Sequence, residues 1–309
     1  MLFHIIGLNL GAYMMAYLRN FPIGETTISQ IIEREGPYHR ALDMFPKATE
    51  KLVNQHIKDL PSFAWDAATK SICITFQSWL IKTPRHNILV DTCVGEHGNR
   101  RPGLLYSKRR WKDEFAATGL SYEDIDYVFC THLHVDHVGW NTQHIDGRLV
   151  PTFPNAKYII GREEFEWWDN WTQTNPPHPS GPAFQECVLP IIEAGQAMLV
   201  ENDFELSDLI HLSPAPGHTM GQYCAHLSSA GEKAIFTGDA MHHPLQIFEP
   251  DWSTMRCTDM DLAIKSRRRI LQEIVDTDTK LITAHFPGHT VGHVISRGDG
   301  FRFRYIDVD

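Results

Sequence analysis

The sequence predicts a layered α/β sandwich. Three observations carry that reading. Short apolar runs with the length of buried strands recur along the whole chain, amphipathic helical patterns lie between some of them, and residues of metal-ligand type stand repeatedly where an apolar run ends. The strand-like runs are 71–81, 87–90, 127–130, 157–160, 209–212, 222–227, 234–237, 281–284 and 301–308.

The helical patterns follow in order. Residues 107–118 form the first, closed by Gly119, a good C-terminal stop. Residues 162–172 carry Phe165, Trp168 and Trp171 at helical spacing, with Glu163 and Glu164 at the start, where acids suit the helix dipole. Residues 258–277 open with Thr258 and Asp261 in capping-box positions, and an apolar stripe runs through Leu262, Ile264, Leu271 and Ile274. The proline-rich stretch 175–182 reads as a loop inside one unit, because metal-type residues occur on both sides of it. The expected organisation is an N-terminal extension over 1–20 and a single domain over 21–309.

Composition excludes several classes. With 42% hydrophobic and 21% charged residues the chain reads as an ordinary soluble globular protein. A formal net charge of -10 argues against nucleic acid as a partner. The dense basic groups, Lys108-Arg109-Arg110 and Arg267-Arg268-Arg269, fall in helical segments and are expected to be solvated faces. Six dispersed cysteines without a CxxC pair point to a reducing compartment, hence the cytoplasm, and not to a disulfide framework. Residues 1–18 are apolar but lack a basic start and contain His4 and Asn9, so neither a signal peptide nor a membrane span is expected.

The run Thr131-His132-Leu133-His134-Val135-Asp136-His137 carries the chemistry. It places three imidazoles and a carboxylate directly after the apolar run 127–130. These are the donors that borderline-soft divalent metals prefer, zinc above all. His132 and His134 point the same way in extended chain, and Asp136 and His137 follow as the backbone curls, so the spacing suggests two metals. Three later residues repeat the placement at a strand exit: His218 in Pro216-Gly217-His218-Thr219, Asp239 after Ile235-Phe236-Thr237-Gly238, and His285 after Leu281-Ile282-Thr283-Ala284. A lone strand-end histidine or a Gly-Asp turn is usually structural; their joint occurrence with the first cluster is not. One sheet edge is expected to present them all.

With these motifs, together with Leu89-Val90-Asp91-Thr92, the chain resembles the metallo-β-lactamase-fold hydrolases over residues 77–285. The resemblance implies a four-layer αββα sandwich with a binuclear site between two sheets. It places one zinc on His132, His134 and His218 and a second on Asp136, His137 and His285. Asp239 would bridge them and Asp91 would orient a ligand. Iron, manganese or cobalt could replace zinc. Cys93 stands where the superfamily usually has glycine after Asp-Thr.

Two such cations lower the pKa of a bridging water, so hydrolysis by a metal-bridging hydroxide is the expected chemistry, with Asp136 passing a proton to the departing alkoxide. Within the superfamily, His134 argues against flavodiiron oxidoreductases, which carry Glu there. A separation of 46 positions from Asp239 to His285 (285 − 239) leaves no room for the large inserted domain of its nucleases. The chain most resembles the N-acyl homoserine lactonase, methyl parathion hydrolase and pyridoxolactonase branch, which implies a small-molecule lactone or ester substrate and a homodimer. An organophosphate or aryl-ester hydrolase is the alternative, and a silent binding module the reading from another class. The branch usually carries tyrosine three residues after the bridging Asp, against the substrate carbonyl; here the position is His242, either a substrate contact or a loop residue. Trp79, Trp140, Met241 and Phe286 are candidates for an apolar pocket wall, residues 95–111 for a loop over the site, and residues 37–65 for the dimer interface.

Overall fold

The computed structural model describes residues 19–95, 108–175, 182–288 and 290–306. The expected extension over 1–20, the loop over 95–111 and the loop over 175–182 therefore lie largely outside the described residues.

Two sheets face each other. The first contains β1 (Arg19–Ile23), β2 (Thr26–Arg40), β3 (Trp65–Asp66), β4 (Ser71–Lys82), β5 (Asn87–Val90), β6 (Tyr127–Phe129), β9 (Lys157–Gly161) and β10 (Ala197–Val200). Its order is β1-β2-β4-β5-β6-β9-β10, with β3 paired to β4. A small hairpin, β7 (Thr142–Ile145) with β8 (Arg148–Pro151), stands apart. The second sheet runs in sequence order through β11 (Phe204–Ser207), β12 (Ile210–Pro214), β13 (Tyr223–Ser229), β14 (Glu232–Phe236), β15 (Lys280–Ile282), β16 (Val291–Arg297) and β17 (Gly300–Tyr305). The helices are α1 (Ala41–Met44), α2 (Glu50–His56), α3 (Lys108–Ala117), α4 (Val135–Val138), α5 (Arg162–Thr174), α6 (Ala183–Cys187), α7 (Leu189–Glu193), α8 (Leu245–Phe248) and α9 (Met260–Ile274).

Period-two alternation sorts the strand side chains into three apolar layers. Leu89 of β5 and Val128 of β6 point outward to Trp111 and Phe115 of α3 and Trp168 of α5. Their neighbours Ile88, Val90 and Phe129 point inward and meet Leu212, Ala225, Phe236 and Ile282 of the second sheet. On the far side Ile235 and Leu281 pack against Ile270, Leu271 and Ile274 of α9. Three apolar layers between four layers of structure make the αββα sandwich.

All nine strand-like runs in the sequence are strands, with ends shifted by a few residues. Eight strands escaped notice: β1, β2, β3, β7, β8, β10, β11 and β16. The longest, β2, interrupts its apolar positions with Gln30, Glu33, Arg34 and Glu35, so polarity masked it.

Three expectations about α9 are corrected. Its N-cap is Asp259, whose side chain accepts from Leu262 N, and not Thr258 with Asp261. The buried face runs through Ala263, Ser266, Arg267, Ile270, Leu271 and Ile274, so Leu262 and Ile264 are only half-buried at its edge. Arg267 is no part of a solvated face: it is fully buried, and its guanidinium donates to the carbonyls of Ala240, Pro250 and Trp252. A planar fork of five donors can satisfy several converging carbonyls at once, which offsets the cost of burial. Arg268, by contrast, is paired with Asp251 at the surface.

Candidate metal centre

Four strand exits deliver seven donor residues to one place. After β6 the chain bends through Thr131 and His132 to His134 (φ -67°, ψ 153°), the N-cap of α4, and the helical turn then swings Asp136 and His137 round. His218 follows β12 in a turn tucked against the start of α9. There Gly217 has φ +128°, and a Cβ on it would lie 2.0 Å from Ala263 N, so only glycine fits. Asp239 and His285 follow the neighbouring strands β14 and β15. The first motif thus comes from one sheet and the other three residues from the other. This corrects the expectation of a single sheet edge: the donors meet at the seam between the sheets.

They form two groups, His132, His134, His218 and Asp239 in one and Asp136, His137 and His285 in the other, the donor atoms of each lying within 4.8 Å of one another. In the first, His134 Nδ1 is 3.0 Å from His132 Nε2 and 2.9 Å from His218 Nε2. In the second, His285 Nε2 is 3.7 Å from Asp136 Oδ2. Asp239 lies between: Oδ2 is 3.1 Å from His218 Nε2, while Oδ1 is 3.0 Å from His285 Nε2 and 3.3 Å from His137 Nε2. One carboxylate therefore turns one oxygen to each group.

The outward nitrogens are held from behind, which orients the inward ones. His137 Nδ1 is 2.7 Å from Asp91 Oδ2, and Asp91 also accepts from Thr131 N and Thr131 Oγ1. His285 Nδ1 sits 2.9 Å from the Thr75 carbonyl, His132 Nδ1 3.2 Å from Thr131 Oγ1, and His218 Nδ1 3.6 Å from Cys257 Sγ.

Burial dominates the electrostatics. It drives His132 and His134 well below the ordinary imidazole value. Burial alone would do the same to His137, His218 and His285, but the Asp239 carboxylate overrides it; His218 rises to about 9. Asp239 in turn, despite its burial, is held well below the carboxylate range by the imidazoles of His285, His137, His242 and His218.

A metal fits these residues. His137 Nε2 and Asp239 Oδ1 are buried without a hydrogen-bond partner. Such orphaned atoms are costly unless something else pairs with them. His134 Nδ1 faces two other imidazole nitrogens, at 3.0 and 2.9 Å, and a single ring nitrogen can hydrogen-bond to only one of them. That spacing is close to the edge of a tetrahedron with arms of about 2.0–2.1 Å, which is about 3.3 Å. Five imidazoles and two carboxylates are the donor set of a borderline divalent cation.

His242 belongs to this constellation. It is buried, its Nε2 lies 3.1 Å from Asp239 Oδ2, and its ring stacks on His285 at 5.6 Å between centroids. Burial lowers it to about 4, so its ring is neutral at pH 7. The neighbouring His243 is structural, with Nε2 2.9 Å from the Ala64 carbonyl. Trp79, Trp140, Met241 and Phe286 are fully packed core residues, not pocket walls: Trp140 stacks on Trp111 and Phe286 packs edge-on against Phe303.

The loop behind His137 is strained. Asp91 (φ 57°) and Cys93 (φ 51°) both hold the left-handed conformation, which costs a non-glycine residue about 1–2 kcal/mol. Cys93 thus keeps the backbone shape glycine would give. The loop is gripped by hydrogen bonds from Gly139 N to Cys93 O and from Thr92 N to His137 O. It is gripped again by Glu33, whose carboxylate accepts from Val94 N, Gly95 N and Trp140 Nε1. Sequence reasoning missed both Glu33 and Glu164. An acid pointing inward from a strand, or one of two acids opening a helix, carries no local mark that sets it apart.

Residues 77–285 match the family model described as the metallo-beta-lactamase superfamily. An N-acyl homoserine lactonase of Bacillus cereus is 25% identical over 226 residues, covering 69% of this chain and 80% of that protein. The N-acyl homoserine lactonase AttM of Agrobacterium fabrum is 36% identical over 55 residues, 18% of each chain. Among solved structures, the dizinc quorum-quenching lactonase AidC superposes with TM-score 0.75 at 23% identity, covering 94% of this chain and 97% of its own. The hydrolase AbOPH superposes with TM-score 0.77 at 19% identity, covering 94% and 98%. At these identities the two structures support the fold.

Proposed function

The chain belongs to the metallo-beta-lactamase superfamily, and from that membership and the paired donor groups we propose that it is a binuclear metal-dependent hydrolase that opens a lactone or cleaves a related carboxylic ester. The observation that carries the reading is Asp239, whose two oxygens face two separate donor groups at 3.0–3.1 Å. We assign His132, His134 and His218 to one cation, Asp136, His137 and His285 to the other, and Asp239 to both. Zinc is the metal we expect, on the strength of the imidazole-rich set. A pair of such cations supplies a water ionised at neutral pH and a Lewis acid for the substrate carbonyl.

The protein's own groups do the rest. Asp136 and His134 are the less buried members, so substrate enters on their side. Asp136 would take up the proton that the attacking hydroxide still carries once its bond to the carbonyl carbon has formed, and pass it to the alkoxide as the ring opens, leaving a carboxylate and an alcohol. His242, neutral at pH 7, donates an N–H to the carbonyl oxygen as charge develops on it, the role of an oxyanion-hole donor. Lactones are favoured over other esters by the lactonases among the sequence relatives.

The cytoplasm is the compartment we assign, supported by six cysteines without a disulfide among them. A homodimer is the assembly we expect; light scattering of the purified protein decides it. No helix among the described residues is long and apolar enough to cross a membrane.

The test is a substrate panel on protein reconstituted with two equivalents of zinc. Acyl homoserine lactones and aliphatic lactones should turn over fastest, aryl esters and phosphotriesters more slowly. Phosphotriester turnover above all lactones would replace the substrate assignment with organophosphate hydrolysis. A fully loaded protein inert toward the whole panel would return it to a binding module.

A further inference from the structure

We propose that Glu164 is a positioning residue for the first metal subsite, its buried carboxylate locking the segment between His132 and His134 to the turn that follows His218. The inference rests on the metal-centre reading above and goes beyond it, because Glu164 is not one of the seven donors.

Glu164 lies in the first turn of α5 and is buried. Its Oε1 accepts from Leu133 N at 2.9 Å and from Trp168 Nε1 at 2.9 Å, and its Oε2 accepts from Gly221 N at 3.1 Å. Leu133 is the residue between two of the imidazoles; Gly221 stands three places after the third. Both oxygens are used as acceptors by these three neutral N–H groups, and the Thr219 side chain next to His218 interacts with the same carboxyl. A buried carboxylate without a cation is costly to retain, and an amide would offer one acceptor where two are needed.

Backbone packing points the same way. A Cβ on Gly221 would lie 2.1 Å from Glu164 N, and one on Gly161 would lie 2.7 Å from the Gly221 carbonyl oxygen. The turn after His218 is therefore in bare contact with the β9–α5 junction. One helical turn beyond Glu164, the Trp168 ring stands edge-on to His134 at 5.8 Å and 83°. The start of α5 thus reaches the segments that carry His132, His134 and His218. The second subsite is held differently: Asp91 backs His137 and the Thr75 carbonyl backs His285. The contribution of Glu164 should therefore be selective for one of two cations.

The test is titration of the metal-free protein with cobalt(II), read by visible absorbance. The wild type should take up two equivalents. Glu164→Gln should weaken one binding step about 10–100-fold and leave the other within about threefold. The weakened step should be the one that His134→Ala abolishes and His285→Ala spares. Trp168→Phe, which keeps an aromatic ring and loses the indole donor, should shift the same step by less. It also decides the matter if Glu164→Gln does not fold, as judged by circular dichroism and the unfolding midpoint of the metal-free form. Two equivalents in the wild type with both steps unchanged, or both weakened equally, would overturn the inference alone. Fewer than two equivalents in the wild type would overturn the binuclear reading and this inference with it.

Discussion

The two halves of the metal centre are built by different means. The group of His132, His134 and His218 backs onto weak partners, a threonine hydroxyl and a thiol, and depends on backbone clamping by Glu164. The group of Asp136, His137 and His285 has a carboxylate directly behind one imidazole and a backbone carbonyl behind the other. Behind that carboxylate stands another, since Glu33 grips the strained loop on which Asp91 sits. The lesson is that one donor can be aimed in two ways: by pulling on its far nitrogen, or by holding the backbone on either side of it. The first also raises the basicity of the ligand; the second leaves it unchanged.

Four measurements bear on this contrast. The largest effect belongs to the residue the halves share. Asp239→Ala should lose both cations and lower kcat/KM by at least about a thousandfold, roughly 4 kcal/mol; normal metal content and turnover would remove the bridging role. His242→Phe should lower kcat by about 100-fold with both metals retained, whereas an unchanged kcat would make His242 a packing residue of the seam. Asp91→Asn should weaken the second subsite by about 10–100-fold in metal affinity and the first, which Asp91 reaches only through Thr131, by less; equal weakening of both steps would erase the contrast between the halves.

The last measurement concerns pH and the fold, not the metals. Burial pushes the Glu33 carboxyl up to about 7 from an ordinary 4.5, against the pull of the N–H groups of Val94, Gly95 and Trp140. Between those values the native protein keeps a proton that the unfolded chain has released. Glu33 therefore favours the fold below about pH 4.5, and that contribution is lost as pH rises through 7, by about 3 kcal/mol at most. Glu33→Gln should flatten the decline in unfolding free energy over this window relative to wild type. Parallel curves for the two proteins would contradict the assignment.

Much of this molecule was legible from local pattern. The nine apolar runs became strands because their hydrophobic residues suit burial on both faces, and the seven donors were visible because each stands at a strand exit. What hid was polarity placed inside: β2, masked by Glu33, Arg34 and Glu35; Arg267, which looked like one of three solvated arginines; and Glu164, which looked like a helix-dipole acid. Whether a charged side chain points to water or to a cluster of backbone donors depends on segments far away in the chain.

By itself, then, the sequence determined the chemistry: which atoms are available to hold cations, and that they cluster where strands end, because ligand type and strand period are local properties. Only the tertiary structure decided the arrangement. It drew donors from two sheets to one seam, turned the two oxygens of Asp239 apart, and brought Glu33 and Glu164 behind the two halves, because such contacts join residues from distant parts of the chain and are settled by how the layers pack.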